Sequence, residues 1–482
     1  MHPRVSKRVP NRSASASDAR EVSDAPGQPL DAGIAEKRFD EMFGPHRHVV
    51  LAVSGGVDSM AMLHLAAEWR AARLSSTPAN TAPILSVVTV DHGLRSGSAV
   101  EAAGVCALAQ RLGCEHTTLH WMDSKPVTGI QAAARAARYR LIIAHLEARG
   151  LDAVATAHTS DDQAETFLMR LARGSGVDGL AGMQACTSFG PVTLLRPMLQ
   201  FSKQDLIATL KASGGTWFED PSNEKKEFER VRLRHMRENF EAAGLSNRKI
   251  ALSARRLGRA RQALDEVTAS YLEPAPNGLR IDALGYAELH WSWLTRLPEE
   301  IRLRILARLI CAIGGSEETV PMSGLEAMTE GAGWKSPVGH TLAGAVLSAG
   351  HEPGCVVIAR EYGRRIHPLP GLDLSSGQKR VWDRRFTVVN ASAQARDFRV
   401  CALGAEGIAI VKAAFMKDDR PLPGQPLAAL HTIPSFWEGE RLAAVPLLNH
   451  FETGTQPGAV ESYFSALPAP HSDRANKPFE GK

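Results

Sequence analysis

The sequence predicts an α/β protein with a doubly wound parallel sheet, followed by a helical domain and a smaller β-rich C-terminal region. From about residue 45, short apolar runs alternate with amphipathic stretches, a pattern typical of parallel strands joined by helices. After Pro221 the chain turns helical and basic, and from about residue 336 it consists of short β runs between Pro and Gly turns. We therefore expect an α/β domain with further domains behind it.

The α/β part is predicted element by element from its hydrophobic periodicity. The strands are expected over residues 48–53, 84–90, 115–121, 153–157 and 192–196. The helices are expected over residues 60–72, 98–112, 130–149, 161–173 and 203–213. A doubly wound sheet binds its ligand outside the carboxyl ends of its strands, so we expect the site there.

The rest of the chain is predicted more coarsely. Residues 225–272 are expected to form one continuous basic helix, and residues 295–330 a helical stretch with an apolar stripe of Ile and Leu. The predicted segments are a disordered extension at 1–32, a catalytic domain at 45–222, a basic helical linker with a helical domain at 223–335, a β-rich region at 336–465 and a disordered tail at 466–482.

Composition excludes several classes of protein. Apolar residues make up 44% and charged residues 22%, close to globular averages, so a sizeable core is expected. The sequence has no apolar stretch of about 18 residues and no apolar N-terminal signal, so we expect neither a membrane span nor secretion. The six cysteines form no CxxC pair, which argues against zinc, iron–sulfur and disulfide frameworks and favours a cytoplasmic location.

The run Leu51–Ser59, LAVSGGVDS, lies between a predicted strand and a predicted helix. Gly55 and Gly56 let the backbone turn tightly and approach an anion, and the helix that follows directs free amides to the same place. Asp58 would repel phosphate, so we expect it to hold Mg²⁺ that bridges to phosphate oxygens. The loop lacks the Gly-Lys-Ser/Thr of a Walker motif, and a plain glycine turn is the structural alternative.

Further polar residues follow the later strands. Asp91 and His92 end the second strand, where an adenine or ribose edge would lie. Arg135 and Arg138 share one face of the following helix at i, i+3.

The run 158–166, HTSDDQAET, begins at the end of the fourth predicted strand. His158 precedes a helix on which Asp162 and Glu165 share one face. One imidazole and several carboxylates could hold Mg²⁺, position an amine and take a proton from it. The structural alternative is a helix N-cap with acidic residues in its first turn.

The segment from Lys225 to Arg261 holds twelve Lys or Arg and four Glu, an excess of +8 in a chain whose net charge is +4. Such a concentration of positive charge favours contact with a polyanion such as a nucleic acid. A solvated helix face is the alternative.

These motifs, taken in order, closely resemble those of the bacterial tRNA(Ile)-lysidine synthetases, members of the PP-loop superfamily of N-type ATP pyrophosphatases. The matching runs are SGGVDS, DHGLR, ARAARY, HTSDDQAET, RGSG and EDPSN. The resemblance is strong over residues 45–240 and looser in the C-terminal half. It implies a Rossmann-like PP-loop ATPase fold and an enzyme that cleaves ATP to AMP and pyrophosphate.

The resemblance also implies the substrates. ATP would adenylylate the C2 carbonyl oxygen of the wobble cytidine in a tRNA(Ile) with a CAU anticodon, and free L-lysine would then displace AMP to give lysidine. The anticodon would read AUA instead of AUG. No protein partner is required, and the β-rich region at 336–465 would bind the body of the tRNA.

Site roles carry over onto the matching residues. Pyrophosphate and Mg²⁺ binding falls to Ser54, Gly55, Gly56, Val57, Asp58 and Ser59, with Asp58 as the metal ligand. Nucleotide binding extends to Asp91, His92 and Arg135. The residues expected to act in catalysis are Asp58, Arg138, His158, Asp162 and Glu165. The tRNA backbone is expected to contact Arg230, Arg232, Arg234 and Arg237.

Two other functions compete with this interpretation. A tRNA 2-thiolation enzyme would use the same loop, but such enzymes usually need cysteines as sulfur carriers or cluster ligands, and CxxC pairs are missing here. A nucleotide-dependent RNA-binding module without turnover is the other alternative, although intact SGGVDS and DDQAET runs argue against a decayed site.

Overall fold

A computed structural model describes residues 27–76, 82–94, 97–189, 192–219, 229–273, 278–316, 320–330, 339–363, 369–392, 396–421, 424–452 and 454–466. These residues group into two compact units, the first ending at Gly258 and the second beginning at Arg259. The division lies inside one helix, downstream of the composition change near residue 222. None of the described helices is long and apolar enough to cross a membrane.

The first unit, which we call the catalytic unit, contains a six-stranded sheet and the helices around it. Its strands are β1 (His48–Ala52), β2 (Ile84–Asp91), β3 (Glu115–His120), β4 (Ala153–Ala155), β5 (Cys186–Phe189) and β6 (Val192–Leu195). Its helices are α1 (Ala32–Phe43), α2 (Val57–Ser76), α3 (Ser98–Arg111), α4 (Ile130–Ala148), α5 (Ser160–Leu171), α6 (Val177–Leu180), α7 (Lys203–Ala212), α8 (Glu229–His235), α9 (Arg237–Ala242) and the first part of α10 (Asn247–Leu272).

The strand order is β3-β2-β1-β4-β6-β5, and all pairings are parallel except that of β5 with β6. This confirms the predicted parallel α/β sheet. The sheet is covered on both faces because neighbouring side chains of β1 point to opposite sides. Val49 and Leu51 join one core, whereas Val50 packs with Ile142 of α4 in the other. The strand order reverses between β1 and β4, so the crevice at their carboxyl ends is the expected ligand site.

Helix α1 has no counterpart in the sequence prediction. Phe39 and Phe43 are fully buried, with ring centroids 5.8 and 5.7 Å from that of Trp69. Residues just before it belong to the predicted disordered extension, yet Gly27 and Leu30 donate backbone hydrogen bonds to side chains of α7. The extension therefore includes several residues that are packed against the catalytic unit, while residues 1–26 lie outside the described part.

The basic segment is not the single helix expected over residues 225–272. Three helices, α8, α9 and α10, replace it. Helix α9 ends at Ala242, and Gly244 follows it with a φ of +80°, a conformation that glycine adopts readily. The sequence prediction had no proline to stop the helix and gave too little weight to this glycine.

The second unit begins in α10 and contains three antiparallel sheets and several helices. A five-stranded antiparallel sheet is formed by β7 (Leu279–Asp282), β8 (Tyr286–His290), β9 (Thr341–Leu342), β10 (Ala345–Ala349) and β11 (Cys355–Arg360). Its helices are α11 (Trp291–Leu294), α12 (Glu299–Gly314) and α13 (Met322–Glu330). The stretch expected to be helical over 295–330 thus has a break, because Gly315 ends α12 with a φ of +60°.

The remainder of the second unit is β-rich, as predicted, with two helices. Its strands are β12 (Leu372–Leu374), β13 (Lys379–Trp382), β14 (Phe386–Asn390), β15 (Phe398–Ala402), β16 (Pro434–Glu438), β17 (Arg441–Val445), β18 (His450–Phe451) and β19 (Val460–Phe464), and its helices are α14 (Gly404–Lys417) and α15 (Leu427–Leu430). A buried charge cluster links β11 to this part: Arg360 and Arg385 both contact the carboxylate of Asp383.

Candidate active site

The glycine loop joins β1 to α2, where the sequence places it. Gly55 has a φ of +88°, and the side chain of Ser59 ties the loop to the helix start. Ser59 Oγ accepts a hydrogen bond from Ser54 N at 3.1 Å and donates one to the carbonyl of Gly56 at 2.9 Å. The first amides of a helix have no intrahelical acceptors, so this compact loop presents an anion site at the start of α2.

Asp58 lies in the first turn of α2, and its Oδ1 is buried without a hydrogen-bond partner among the described residues. Burial raises the pKa of this carboxyl to about 6; nearby Lys203 lowers it, whereas Asp162 and Asp161 raise it. A buried carboxylate oxygen without a donor is costly. A divalent cation would satisfy it, so the residue fits the predicted role in holding Mg²⁺.

The run after β4 forms the start of α5, and Asp162 caps that helix. Its Oδ2 accepts hydrogen bonds from Thr159 N at 2.8 Å and Thr159 Oγ1 at 3.0 Å. The capping interpretation of this carboxylate is therefore correct for one of its oxygens. His158 lies beside it with Nδ1 3.0 Å from Thr156 Oγ1, which fixes the orientation of the imidazole.

Glu165 is almost buried on α5 and pairs with an arginine that the sequence analysis assigned to tRNA. Arg234 Nε lies 2.5 Å from Glu165 Oε1, and Arg234 Nη2 lies 3.3 Å from Oε2. The guanidinium also contributes to the electrostatic environment of Asp58. Helix α8 therefore brings a positive charge to the acidic face of α5.

Helix α9 makes a similar contact with the same acidic face. Arg237 Nη1 lies 3.4 Å from Asp161 Oδ1, which also accepts a 2.8 Å hydrogen bond from Asn247 Nδ2. Arg237 Nε additionally donates to Glu241. Arg234 and Arg237, two of the four arginines expected to contact tRNA, thus pair with carboxylates of α5. Arg232 is exposed, and the side chain of Arg230 lies outside the described residues.

A second cluster lies at the ends of β2 and β3. Arg138 Nη2 is 3.5 Å from His92 Nε2, and His92 packs edge-on against Trp121 at 5.9 Å. Burial and the neighbouring guanidinium lower the pKa of His92 to about 4, so its ring is neutral. Burial also lowers the pKa of Arg138, for which no carboxylate partner is found in the described part of the chain. An arginine in this state favours an anionic ligand.

The other two predicted nucleotide-binding residues have local partners. Asp91 Oδ1 accepts a 2.9 Å hydrogen bond from Gly93 N, which shapes the turn after β2. The guanidinium of Arg135 stacks on Tyr139 at 5.3 Å. The structure therefore brings Arg138 and His92 together, and it gives Arg135 an intramolecular contact instead.

Two residues near the loop were given no role by the sequence analysis. Lys203 begins α7 and exerts the largest charge effect on the pKa of Asp58. Phe218 donates its backbone N–H to the carbonyl of Gly55 at 2.9 Å. Only the position of Phe218, in a motif that precedes the basic segment, offered a signal in the sequence.

Comparison with known proteins agrees with the geometry of the catalytic unit. A family profile described as a PP-loop domain matches residues 32–238. A tRNA(Ile)-lysidine synthase from a Bradyrhizobium species is 40% identical over 66% of this chain and 92% of its own length. That of Bradyrhizobium diazoefficiens is 42% identical over 61% of this chain and 80% of its own. That of Ruegeria pomeroyi is 35% identical over 88% of this chain and 94% of its own.

Proposed function

This chain belongs to the tRNA(Ile)-lysidine synthase family, and on that premise we propose that it joins free L-lysine to the wobble cytidine of a tRNA(Ile) with a CAU anticodon. In the first step, the C2 carbonyl oxygen of cytidine attacks the α-phosphorus of ATP and pyrophosphate leaves. In the second, the neutral ε-amine of lysine attacks C2, AMP leaves with the oxygen, and the amine loses its proton. The products are lysidine, AMP and pyrophosphate, and the anticodon reads AUA instead of AUG.

The observation that carries this proposal is the buried Oδ1 of Asp58 beside the glycine loop, which has no hydrogen-bond partner among the described residues. A cation would stabilise such an oxygen, and the start of the helix next to it favours binding of an anion. Magnesium pyrophosphate supplies both. Mg²⁺ usually takes only one or two carboxylates from a protein and completes its shell with phosphate oxygens and water.

In this proposal Asp58 would hold Mg²⁺, and the bound ion would supply positive charge against the pyrophosphate leaving group. Ser54, Gly55, Gly56 and Ser59 surround the phosphates with amides and hydroxyls. Arg138 contacts a phosphate of ATP or the activated base, because its guanidinium makes a long contact to His92 and has no carboxylate partner among the described residues.

The amine nucleophile is assigned to the acidic face of α5. Its carboxylates attract the lysine ammonium, which must lose a proton before it can attack. His158 is the candidate base: with a proton on Nδ1 facing Thr156 Oγ1, the lone pair that accepts the proton would be that of Nε2. Asp162 and Glu165 are proposed to bind the ε-ammonium of lysine beside this ring.

The tRNA is assigned to the exposed positive charge of the chain. Arg255 and Arg256 on α10 join the sequence-predicted arginines of α8 as candidates for phosphate contacts. The target base must leave its stack to reach the loop. The β-rich part of the second unit is proposed to bind the body of the tRNA. A cytoplasmic location completes the proposal and agrees with six cysteines that form no disulfide.

The test measures pyrophosphate release from ATP by the purified full chain with Mg²⁺. We expect full release and incorporation of labelled lysine only when ATP, lysine and unmodified tRNA(Ile) are all present. The matched control is the same tRNA with uridine at the wobble position, which should give no incorporation. Release that depends on a sulfur donor instead of lysine would favour tRNA thiolation.

The same assay tests the amine site. An Asp162→Ala variant that incorporates lysine at the normal rate would refute a role for this carboxylate beyond capping α5. Asp162→Asn serves as the matched control, because its amide oxygen can still accept from Thr159 N and preserve the helix cap.

A further inference from the structure

Phe218 lies against the pyrophosphate loop although it comes much later in the sequence. Its backbone N–H donates to the carbonyl oxygen of Gly55 at 2.9 Å. Its ring approaches the same residue: a Cβ placed on Gly55 would be 3.1 Å from Phe218 Cδ2. The same Cβ would lie 3.6 Å from Cγ2 of Val105, a residue of α3. Gly55 is therefore enclosed by side chains from two separate parts of the catalytic unit.

The ring of Phe218 also requires a glycine on α3. A Cβ placed on Gly104 would be only 2.4 Å from Phe218 Cζ and 2.9 Å from Cε2, distances that real atoms do not tolerate. The aromatic ring thus fills a gap between the loop and α3. The gap exists because both residues facing it, Gly55 and Gly104, lack side chains.

The hydrogen bond to Gly55 has a consequence for the next amide. The peptide unit is planar and trans, so the carbonyl of Gly55 and the N–H of Gly56 point in opposite directions. Gly55 and Gly56 both lack a Cβ, and Gly55 has a φ of +88°, so steric resistance to rotation of the peptide between them is low. A carbonyl held by Phe218 on one side therefore fixes the direction of the Gly56 N–H on the other.

We propose that Phe218 is a positioning residue for ATP binding. It holds the Gly55–Gly56 peptide in the orientation that binds the pyrophosphate. The proposal rests on the proposed function, since it assumes that the loop binds the pyrophosphate of ATP. Phe218 acts on ATP through its contacts with the loop. Its ring packs the segment onto α3, and its amide orients the loop.

Two substitutions test the packing of Phe218 against Gly104, one at each of the two residues. Phe218→Ala removes the ring, and Gly104→Ala keeps the ring but displaces it. Misplacement of binding groups by about 1 Å costs up to roughly 100-fold, so we expect both variants to lower kcat/KM for ATP by about 10- to 100-fold. The KM for lysine should stay within about twofold. Phe218→Leu, which still fills part of the gap, should recover much of the loss.

Gly258→Ala is the matched control, because Gly258 is also helical and a Cβ there would meet nothing within 4 Å. It should leave ATP kinetics unchanged. A second readout is calorimetric binding of magnesium pyrophosphate to the full chain, which we expect to weaken in Phe218→Ala and Gly104→Ala in proportion to kcat/KM. Circular dichroism at the assay temperature confirms that each variant is folded.

The proposal is overturned if both variants bind magnesium pyrophosphate as the wild type does. It is equally overturned if the KM values for ATP, lysine and tRNA all rise together, or if Phe218→Leu behaves like Phe218→Ala. Pyrophosphate binding does not depend on lysidine formation. A wild-type chain that binds magnesium pyrophosphate but forms no lysidine would refute the proposed function and leave the binding comparison of the variants to decide the role of Phe218.

Discussion

Replacing Arg234 by alanine should destabilise the catalytic unit, because this arginine pairs with Glu165 across α8 and α5. The pair is bidentate, with N–O distances of 2.5 and 3.3 Å. The side chain of Glu165 is 10% exposed, whereas that of Arg234 is 44% exposed. The carboxylate is thus largely removed from water and depends on this guanidinium for compensation.

The magnitude lies between two limits. An exposed ion pair contributes about 0.2–1 kcal/mol, and removal of one partner from a buried pair costs about 3–5 kcal/mol. A pair with one buried and one half-exposed member falls between them, so we expect Arg234→Ala to lower the free energy of unfolding by about 2 kcal/mol. In a Glu165→Gln background the same substitution should cost less, with a coupling energy of about 1–2 kcal/mol.

The assay is urea denaturation of the wild type, both single variants and the double variant. Arg255→Ala is the matched control, because Arg255 is exposed and has no ion-pair partner among the described residues. It should change the free energy of unfolding by less than about 0.5 kcal/mol. If the effects of Arg234→Ala and Glu165→Gln are simply additive, the ion pair does not contribute to stability and our interpretation of α8 is wrong.

Three other features of the chain lead to further predictions. Neutralising Arg255 and Arg256 should weaken tRNA binding and reduce the slope of log K against log salt by about 1 for each phosphate that is no longer neutralised, measured by filter binding; an unchanged slope would exclude them from the interface. Asp383→Asn should cost about 3–5 kcal/mol in urea denaturation, because it leaves the fully buried guanidinium of Arg385 without its counter-charge; a loss below about 1 kcal/mol would contradict this. The pKa of His92 is lowered from 6.5 to about 4 in the folded chain. Between these pH values the unfolded chain is protonated at this residue and the folded chain is not, so the free energy of unfolding falls as the pH falls from 6.5 towards 4. Between pH 7 and pH 5 the wild type should lose about 1 kcal/mol more than His92→Gln, after allowance for partial exposure, and equal losses would contradict the lowered pKa.

The parallel sheet could be predicted because its information is local. Strands such as β2 are continuous apolar runs, and the amphipathic period of helices such as α4 is long enough to identify. Motifs at strand ends then meet at one edge of the sheet by topology alone. This is why Asp58 and Asp162, about a hundred positions apart in the chain, could be expected near each other.

The contacts that the sequence analysis missed are all long-range. An arginine on a basic helix is equally compatible with phosphate and with a carboxylate of its own chain. The pairing of Arg234 with Glu165 depends on how α8 packs on α5, which periodicity does not encode. The same holds for Phe218, whose role follows only from its distance to Gly55 and Gly104.

The break in the basic segment has a different cause. Residues 225–272 are rich in Ala and Arg and contain no proline, so helix propensity favours one long helix. Gly244, with a φ of +80°, follows the end of α9, and Arg237 at the start of that helix contacts Asp161 of α5. The single glycine was outweighed in the prediction by the helix propensity of the residues on either side of it.

The central claim is that this chain attaches lysine to cytidine in tRNA, and mass analysis of the modified nucleoside tests it most directly. Unmodified tRNA(Ile) is incubated with the chain, ATP, Mg²⁺ and lysine, digested to nucleosides and compared with a reaction that lacks lysine. We predict that the wobble cytidine gains the mass of one lysine minus one water, and only in the complete reaction. An unchanged cytidine, or one that carries sulfur in place of oxygen when a sulfur donor is supplied, would contradict the claim.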